Sequence, residues 1–273
     1  MKKFKLVLAD HDGTIVNDNR VLSDRTREAL EELHREGYLF GMASGRTVED
    51  VNHYPQRWGL SFDFDCVIGL GGCQFYDGVN KKLYEENYLD KEDVRDIIEM
   101  MAPLHLPVSM AVGNTYYFSE LTEEEKQSAR RNKEQVRIQA LSVEEFYRHD
   151  APKIMFRMPE ERMPEVEAYI AAHPSDRYWG FKTQPMLVEF QNIRARKSNG
   201  LKKIEELYGI KPEEVIYFGD TTNDNDLLAA CYGVCMANGT EDTKAVSKEI
   251  TRFSNNEDGM AIYLEENLLE RKG

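Results

Sequence analysis

The sequence predicts a doubly wound, mostly parallel α/β protein with an α+β domain inserted into it. Three observations lead there. Short, nearly all-apolar runs alternate with amphipathic helices at both ends of the chain, and hairpin signals replace that rhythm in the middle. The 273 residues, at roughly 150 per domain, suffice for two domains.

Phe4 to Ala9 is the first apolar run, as expected of a strand buried on both faces of a parallel sheet. Ser23 opens a helix that carries Ala29, Leu30 and Leu33 on one face and stops at Gly37, with a polar cap before it and a glycine just past its end. Tyr38 to Ala43 is the next strand, Thr47 to about Gln56 a helix with Pro55 near its end, and Asp65 to Leu70 a third strand. From Cys73 the pattern changes: Gln74 to Tyr76 and Lys82 to Glu86 flank Asp77-Gly78, a hairpin signal. A helix near Asp90 to Leu104 follows, then strands near Pro107 to Val112 and Thr115 to Ser119 around Gly113-Asn114, and a charged helical stretch near Thr122 to Glu134. Strands near Val136 to Ala140 and Lys153 to Met158, a helix from Pro164 to Ala172 and a strand pair ending at Gln191 complete the insertion. The α/β rhythm resumes with a helix from Asn199 to Tyr208 closed by Gly209, a strand from Val215 to Gly219 and a helix from Asp224 to Cys231. A strand from Val234 to Met236 and a helix from Met260 to Glu270 end the chain. One domain, residues 1–81 and 189–273, is therefore discontinuous, and residues 82–188 form the insertion. Short hinges are expected near Gly78 to Leu83 and Gln191 to Lys197.

Composition narrows the function. With 41% hydrophobic and 31% charged residues the chain is globular, and a net charge of -14 argues against nucleic acid and anionic membrane surfaces as partners. No apolar run reaches the roughly 18 to 20 residues of a membrane-spanning helix. Asp10 and Asp12 cut short the opening apolar stretch before it could serve as a signal peptide, so a cytoplasmic protein is expected. Cys66, Cys73, Cys231 and Cys235 lack CxxC spacing and read as reduced, buried thiols.

Four segments carry chemistry. The first strand ends in Asp10-His11-Asp12-Gly13-Thr14, at the sheet edge where ligands of open α/β sheets bind. Residues two apart on a strand point the same way, so Asp10 and Asp12 can address one substrate, one attacking while the other handles protons. The second strand ends in Ala43-Ser44-Gly45-Arg46-Thr47, a hydroxyl and a glycine at a helix N-terminus, which suits phosphate. A later strand ends in Phe218-Gly219-Asp220-Thr221-Thr222-Asn223-Asp224. Asp220 and Asp224, gathered with Asp10 and Asp12, could not all stay ionised without a hard cation, for which Mg²⁺ is the natural choice. Lys197, before a helix at the end of the insertion, can return to the same edge as a point charge for phosphate or for the nucleophilic carboxylate.

In this order the series DxDGT, SGR, K and GDxxND resembles the haloacid dehalogenase-like superfamily, in particular its Cof-type phosphatases. Met236-Ala237-Asn238-Gly239, Asn256-Glu257-Asp258-Gly259 and an insertion similar to the type IIB cap extend the resemblance over nearly the whole chain. It implies a Rossmann-like core and a phosphoric monoester hydrolase acting on small phosphorylated metabolites, sugar phosphates foremost. It implies Asp10 as nucleophile and Mg²⁺ ligand, and Asp12 as general acid/base that binds the metal through its main-chain carbonyl. Asp220 would be the remaining ligand, with Asp224 supporting the metal shell through water or Lys197. Ser44, Gly45, Lys197 and Asn223 would hold the phosphate, and the cap would close over the site. Relatives that move phosphate within a sugar offer a second expectation, which calls for cap arginines among Arg130, Arg131, Arg137 and Arg157. A phosphometabolite-binding regulator without turnover is a third; it predicts decay of Asp10, Asp12, Lys197 or Asp220, and all four are present. Two positions depart from the pattern: His11 stands where an apolar residue is usual, and Gly71-Gly72-Cys73 replace Asn-Gly-Ala. His11 is expected to be a partly buried loop residue, and oligomeric state is left open.

Overall fold

A computed structural model describes residues 3–112, 115–123 and 137–269. In chain order the strands are β1 (Leu6–Ala9), β2 (Leu39–Ala43), β3 (Cys66–Gly69), β4 (Gln74–Asp77), β5 (Lys82–Glu85), β6 (Val108–Val112) and β7 (Thr115–Phe118). They continue as β8 (Arg137–Ala140), β9 (Ile154–Arg157), β10 (Tyr178–Gln184), β11 (Leu187–Asn192), β12 (Val215–Gly219), β13 (Tyr232–Cys235) and β14 (Glu249–Ile250). Two compact units result, Met1–Glu85 with Arg196–Gly273, and Glu86–Ala195. The boundaries fall after Glu85 and Ala195 rather than at 81/82 and 188/189, because β5 pairs with β4 in the first unit's sheet and β11 runs on to Asn192 in the second's.

The first unit is built on the sheet β14-β13-β12-β1-β2-β3-β4-β5. It is parallel from β14 to β3, and β4 and β5 add an antiparallel edge. β1 lies at its centre with all four residues buried. Val7 and Ala9 join Phe40, Met42 and Val67 in one apolar layer, while Leu6 and Leu8 join Cys66, Ile68 and Tyr217 in another. A period of two on a sheet covered on both faces yields those continuous apolar runs. The register pairs Ala9 with both Met42 and Phe218, so the segments leaving β1, β2 and β12 emerge side by side at one edge.

Helices largely follow their signals. Ser23 caps Asp24–Arg35 by accepting from the Thr26 N–H, and Ala29, Leu30 and Leu33 are buried. Asn199–Tyr208 ends on Gly209, whose φ of 64° is left-handed. The expected helix from Thr47 to Gln56 is instead two, Val48–Asn52 and Tyr54–Trp58. Pro55 opens the second rather than closing the first, since a residue without N–H is tolerated in a first turn and not further in. The helix expected from Asp224 begins as a tight turn, Thr222–Asp224, before Asn225–Ala230. Helices Val143–Phe146 and Glu241–Val246 and the two-residue β14 are too short to show a period in sequence.

The second unit carries the sheet β10-β11-β9-β6-β7-β8, antiparallel except for the β7–β8 pair. Val188 and Phe190, Ile154 and Phe156, and Val108 and Met110 share a core with Val94, Ile97 and Met101 of helix Lys91–Met101 and with Val166 of helix Met163–Ala172. Between Val188 and Phe190, Glu189 is buried and receives the Lys153 ammonium at 3.0 Å. The Gly113-Asn114 turn, Arg130, Arg131 and nearly all of the stretch expected to be helical near Thr122 to Glu134 lie outside the described residues.

Candidate active site

The site is assembled at the edge where β1, β2 and β12 end. Asp10, the first residue past β1, is buried, and one of its oxygens accepts from Lys197 Nζ at 2.7 Å. The same ammonium donates to Asp224 Oδ1 at 2.6 Å and lies 3.3 Å from the Tyr217 hydroxyl, which itself donates to Asp224 Oδ1. Lys197 and Asp224 are essentially inaccessible, at 2% and 0% exposure, so this is a dry network rather than a surface ion pair. Asp224 Oδ2 accepts from the main-chain N–H groups of Asp220 and Thr221, at 3.0 and 3.1 Å. With both oxygens engaged, Asp224 caps its own turn and fixes Lys197.

Asp220, the first residue past β12, is held by the Thr14 hydroxyl at 2.7 Å. Gly13, with φ of 77°, passes so close that a Cβ there would lie 2.3 Å from Asp220 Oδ2. This is the physical reason for glycine in the Asp-Gly-Thr segment. Asp10, Asp220 and Asp224 together present carboxylate oxygens within 4.8 Å of one another. Burial, reinforced by Asp224 and Asp220 and opposed by Lys197, pushes the Asp10 carboxyl well above the usual range. Burial and the Asp224 charge raise Asp220 to about 7. Burial works against the charge on Lys197, but Asp10 and Asp224 outweigh it and keep the ammonium protonated. When all three buried carboxylates are ionised they outweigh the one ammonium, and an all-oxygen donor set of this kind fits a hard divalent cation.

Asp12 stands apart from this cluster. Its side chain is half exposed; Oδ2 accepts from Arg46 Nη2 at 2.7 Å, Oδ1 lies 3.3 Å from His11 Nδ1, and Arg20 Nε is 3.6 Å away. Partial burial alone would raise its carboxyl, but His11 and Arg46 hold it well below the usual range. His11 is buried rather than partly exposed, at 4%.

Past β2, Ser44 is buried, and its hydroxyl accepts from the Arg46 N–H at 3.2 Å. A Cβ on Gly45 would meet nothing within 4 Å, so the space beside it is open. The Gly71-Gly72-Cys73 departure now has a physical account. Gly71 has φ of 63°, a left-handed conformation that glycine and asparagine both adopt, and its N–H donates to Ser44 O at 3.1 Å. Gly72, at φ of 103°, lies against the main chain of Arg196, where a Cβ would come within 1.9 Å of the carbonyl oxygen. Asn223 is exposed on the turn after β12, and its side chain meets the Thr221 hydroxyl rather than the acid cluster. Asn238 donates to Gly13 O at 2.8 Å, and Asn256 to Asp18 Oδ2 at 2.8 Å. The two later motif segments therefore brace the loop that follows Asp12. Of the arginines expected to matter for intramolecular phosphate transfer, Arg137 and Arg157 are exposed on β8 and β9.

Sequence reasoning assigned no part to Tyr217, Thr14, Arg20 or Arg46. Tyr217 sits inside an apolar strand where no pattern marks it, and Thr14 is legible only as the last residue of the Asp-Gly-Thr segment. Arg46 was legible only as part of the Ser-Gly-Arg turn.

Comparison with known proteins bears on the chain as a whole. The profile of the haloacid dehalogenase-like hydrolase family matches residues 7–264. The putative phosphatase YxeH of Bacillus subtilis is 27% identical, covering 98% of this chain and all of its own. The 5-amino-6-(5-phospho-D-ribitylamino)uracil phosphatase YitU of the same organism is 24% identical, with 96% of each chain covered. Among solved structures, a haloacid dehalogenase-like hydrolase from Bacteroides thetaiotaomicron superposes with a TM-score of 0.81 at 25% identity, over 97% of this chain and 99% of the other. The subclass IIB sugar phosphatase BT4131 superposes with a TM-score of 0.78 at 23% identity, over 96% and 98%. With the acids at the ends of β1 and β12, the lysine between them and a match over nearly the full length, the chain belongs to the haloacid dehalogenase-like hydrolase family.

Proposed function

We propose that this hydrolase is a Mg²⁺-dependent phosphatase of small phosphorylated metabolites, sugar phosphates foremost, and that it works through an aspartyl-phosphate on Asp10. The observation that carries the reading is the pairing of a buried Asp10, clamped by Lys197 at 2.7 Å, with a separate, half-exposed Asp12 two residues on. Nucleophile and proton-transfer group thus sit in different environments on one strand end.

An Asp10 oxygen attacks phosphorus, the ester P–O bond breaks, and Asp12 gives its proton to the departing alkoxide. A water then loses a proton to Asp12 and attacks the phosphoaspartate, releasing inorganic phosphate and regenerating Asp10. Arg46 and His11 favour the ionised Asp12 that the second step needs. A dianionic phosphate arriving beside it favours the protonated form that the first needs. Lys197 neutralises phosphoryl oxygens, the open space at Gly45 with the Ser44 hydroxyl offers the phosphate a seat, and Asn223 adds an amide. Asp10, Asp220 and the Asp12 carbonyl would hold Mg²⁺, with Asp224 behind them; when bound it supplies positive charge that keeps Asp10 ionised and stabilises the equatorial oxygens.

The second unit serves as a cap on this reading, selecting the leaving group. Four buried cysteine thiols suit a reducing, cytoplasmic setting, and among the described residues no helix is long and apolar enough to cross a membrane. The test is Mg²⁺-dependent release of phosphate from p-nitrophenyl phosphate and from a panel of phosphorylated metabolites. Asp10→Asn should lower it by at least about 10³-fold. An unchanged rate in Asp10→Asn would reject the mechanism, and conversion of a hexose 1-phosphate to its 6-phosphate without free phosphate would favour mutase chemistry.

A further inference from the structure

His11 lies between the two aspartates, and its surroundings are built rather than incidental. Its ring stacks on Tyr54 with centroids 4.5 Å apart and planes 21° from parallel. Tyr54 stacks in turn on Trp58, one helical turn further along, at 4.8 Å and 7°. Trp58 meets the edge of Phe64 at 6.0 Å. An imidazole buried at the end of such a column has little freedom to turn. Its Nδ1 is buried, makes no well-aligned hydrogen bond, and has the Asp12 carboxylate 3.3 Å away. Arg46 holds the other oxygen of the same carboxylate at 2.7 Å. An aspartate side chain that is 51% exposed would otherwise exchange rotamers freely.

We propose that His11 is a positioning residue: its stacked ring steers Asp12 Oδ1 while Arg46 steers Oδ2, so that the carboxyl keeps one orientation from which to pass protons to the leaving oxygen. This rests on the assignment of Asp12 as the proton-transfer group. It accounts for a polar residue at position 11, and it gives the short helix Tyr54–Trp58 a part in catalysis at one remove.

The test uses substituted phenyl phosphates that share a shape but differ in leaving-group basicity, from p-nitrophenyl to p-methoxyphenyl. A poor leaving group needs its proton, whereas p-nitrophenolate departs almost without one. In His11→Phe, which preserves the stack and removes the nitrogen, kcat/KM for p-methoxyphenyl phosphate should fall by about tenfold or more and that for p-nitrophenyl phosphate by less than about threefold. His11→Asn, whose amide nitrogen takes the place of Nδ1, should restore the shallow dependence. Asp12→Asn should show the steepest dependence of all. A uniform loss across the series in His11→Phe, or no loss, overturns the positioning role provided that Asp12→Asn is steep. If Asp12→Asn itself shows no added dependence on leaving group, the assignment of Asp12 falls, and the role of His11 with it.

Discussion

Replacing Asp220 by asparagine separates the electrostatics of the acid cluster from its architecture. Burial and the neighbouring Asp224 charge raise the Asp220 carboxyl from 3.8 to about 7, against the Thr14 hydrogen bond. A group whose folded pKa is raised weakens the fold above its unfolded pKa, and the effect fades as pH falls back towards that value. Each tenfold change in proton affinity is about 1.4 kcal/mol, so the folded, metal-free protein carries a burden on the order of 4 kcal/mol above pH ~7. Asparagine keeps an oxygen for the Thr14 hydroxyl and carries no charge, but its amide is still desolvated. Roughly half of the burden, about 2 kcal/mol, should therefore be relieved. In a chelator-treated sample at about pH 8, thermal unfolding of Asp220→Asn should occur about 5 °C higher than that of the parent, and the gap should close near pH ~4. Added Mg²⁺ should reverse the order. At a hundred times its Kd it stabilises the parent by about 3 kcal/mol, while the variant, with a metal ligand gone, gains little. A metal-free variant less stable than the parent at the higher pH, or equal Mg²⁺ shifts in the two proteins, would refute this account.

Three other outcomes are expected. Gly72→Ala must place a Cβ 1.9 Å from the Arg196 carbonyl at φ of 103°; it should lower stability by at least about 3 kcal/mol, read as a drop in Tm. Tyr217→Phe removes the hydroxyl shared by Asp224 and Lys197. It should reduce kcat by about tenfold and stability by only about 1 kcal/mol, measured by steady-state kinetics and urea unfolding. Lys153→Met strands the buried Glu189 and should destabilise by about 3 to 5 kcal/mol, whereas the double variant Lys153→Met/Glu189→Leu should recover most of the loss in the same unfolding assay.

Much of this molecule was legible as pattern. The buried strands β1, β2, β3 and β12 announced themselves as apolar runs because a parallel sheet is covered on both faces. Three of the four chemically loaded segments follow such a run, and the parallel register then requires the ends of β1, β2 and β12 to lie together. Asp10 meets the Asp220–Asp224 segment for that reason, and Lys197, which precedes a helix instead of following a strand of that sheet, joins them in one hydrogen-bonded network. What escaped is short-range or three-dimensional. The split at His53 turns on whether Pro55 begins or ends a helix, which local periodicity does not decide. Helices of four to six residues and the two-residue β14 carry too little periodicity to be recognised.

The sequence by itself determined the order of elements and the residue types at the sheet edge, because strand burial and turn chemistry are local demands written every few residues. Only the tertiary structure decided how the charges are shared. It closed Asp224 with Tyr217 and two backbone N–H groups, leaving that residue to orient Lys197. It set Asp12 apart between Arg46 and His11, and buried the His11 ring in an aromatic column that begins more than forty residues along the chain. Desolvation and the distance between charges govern proton affinity, and both come into being only when distant segments pack.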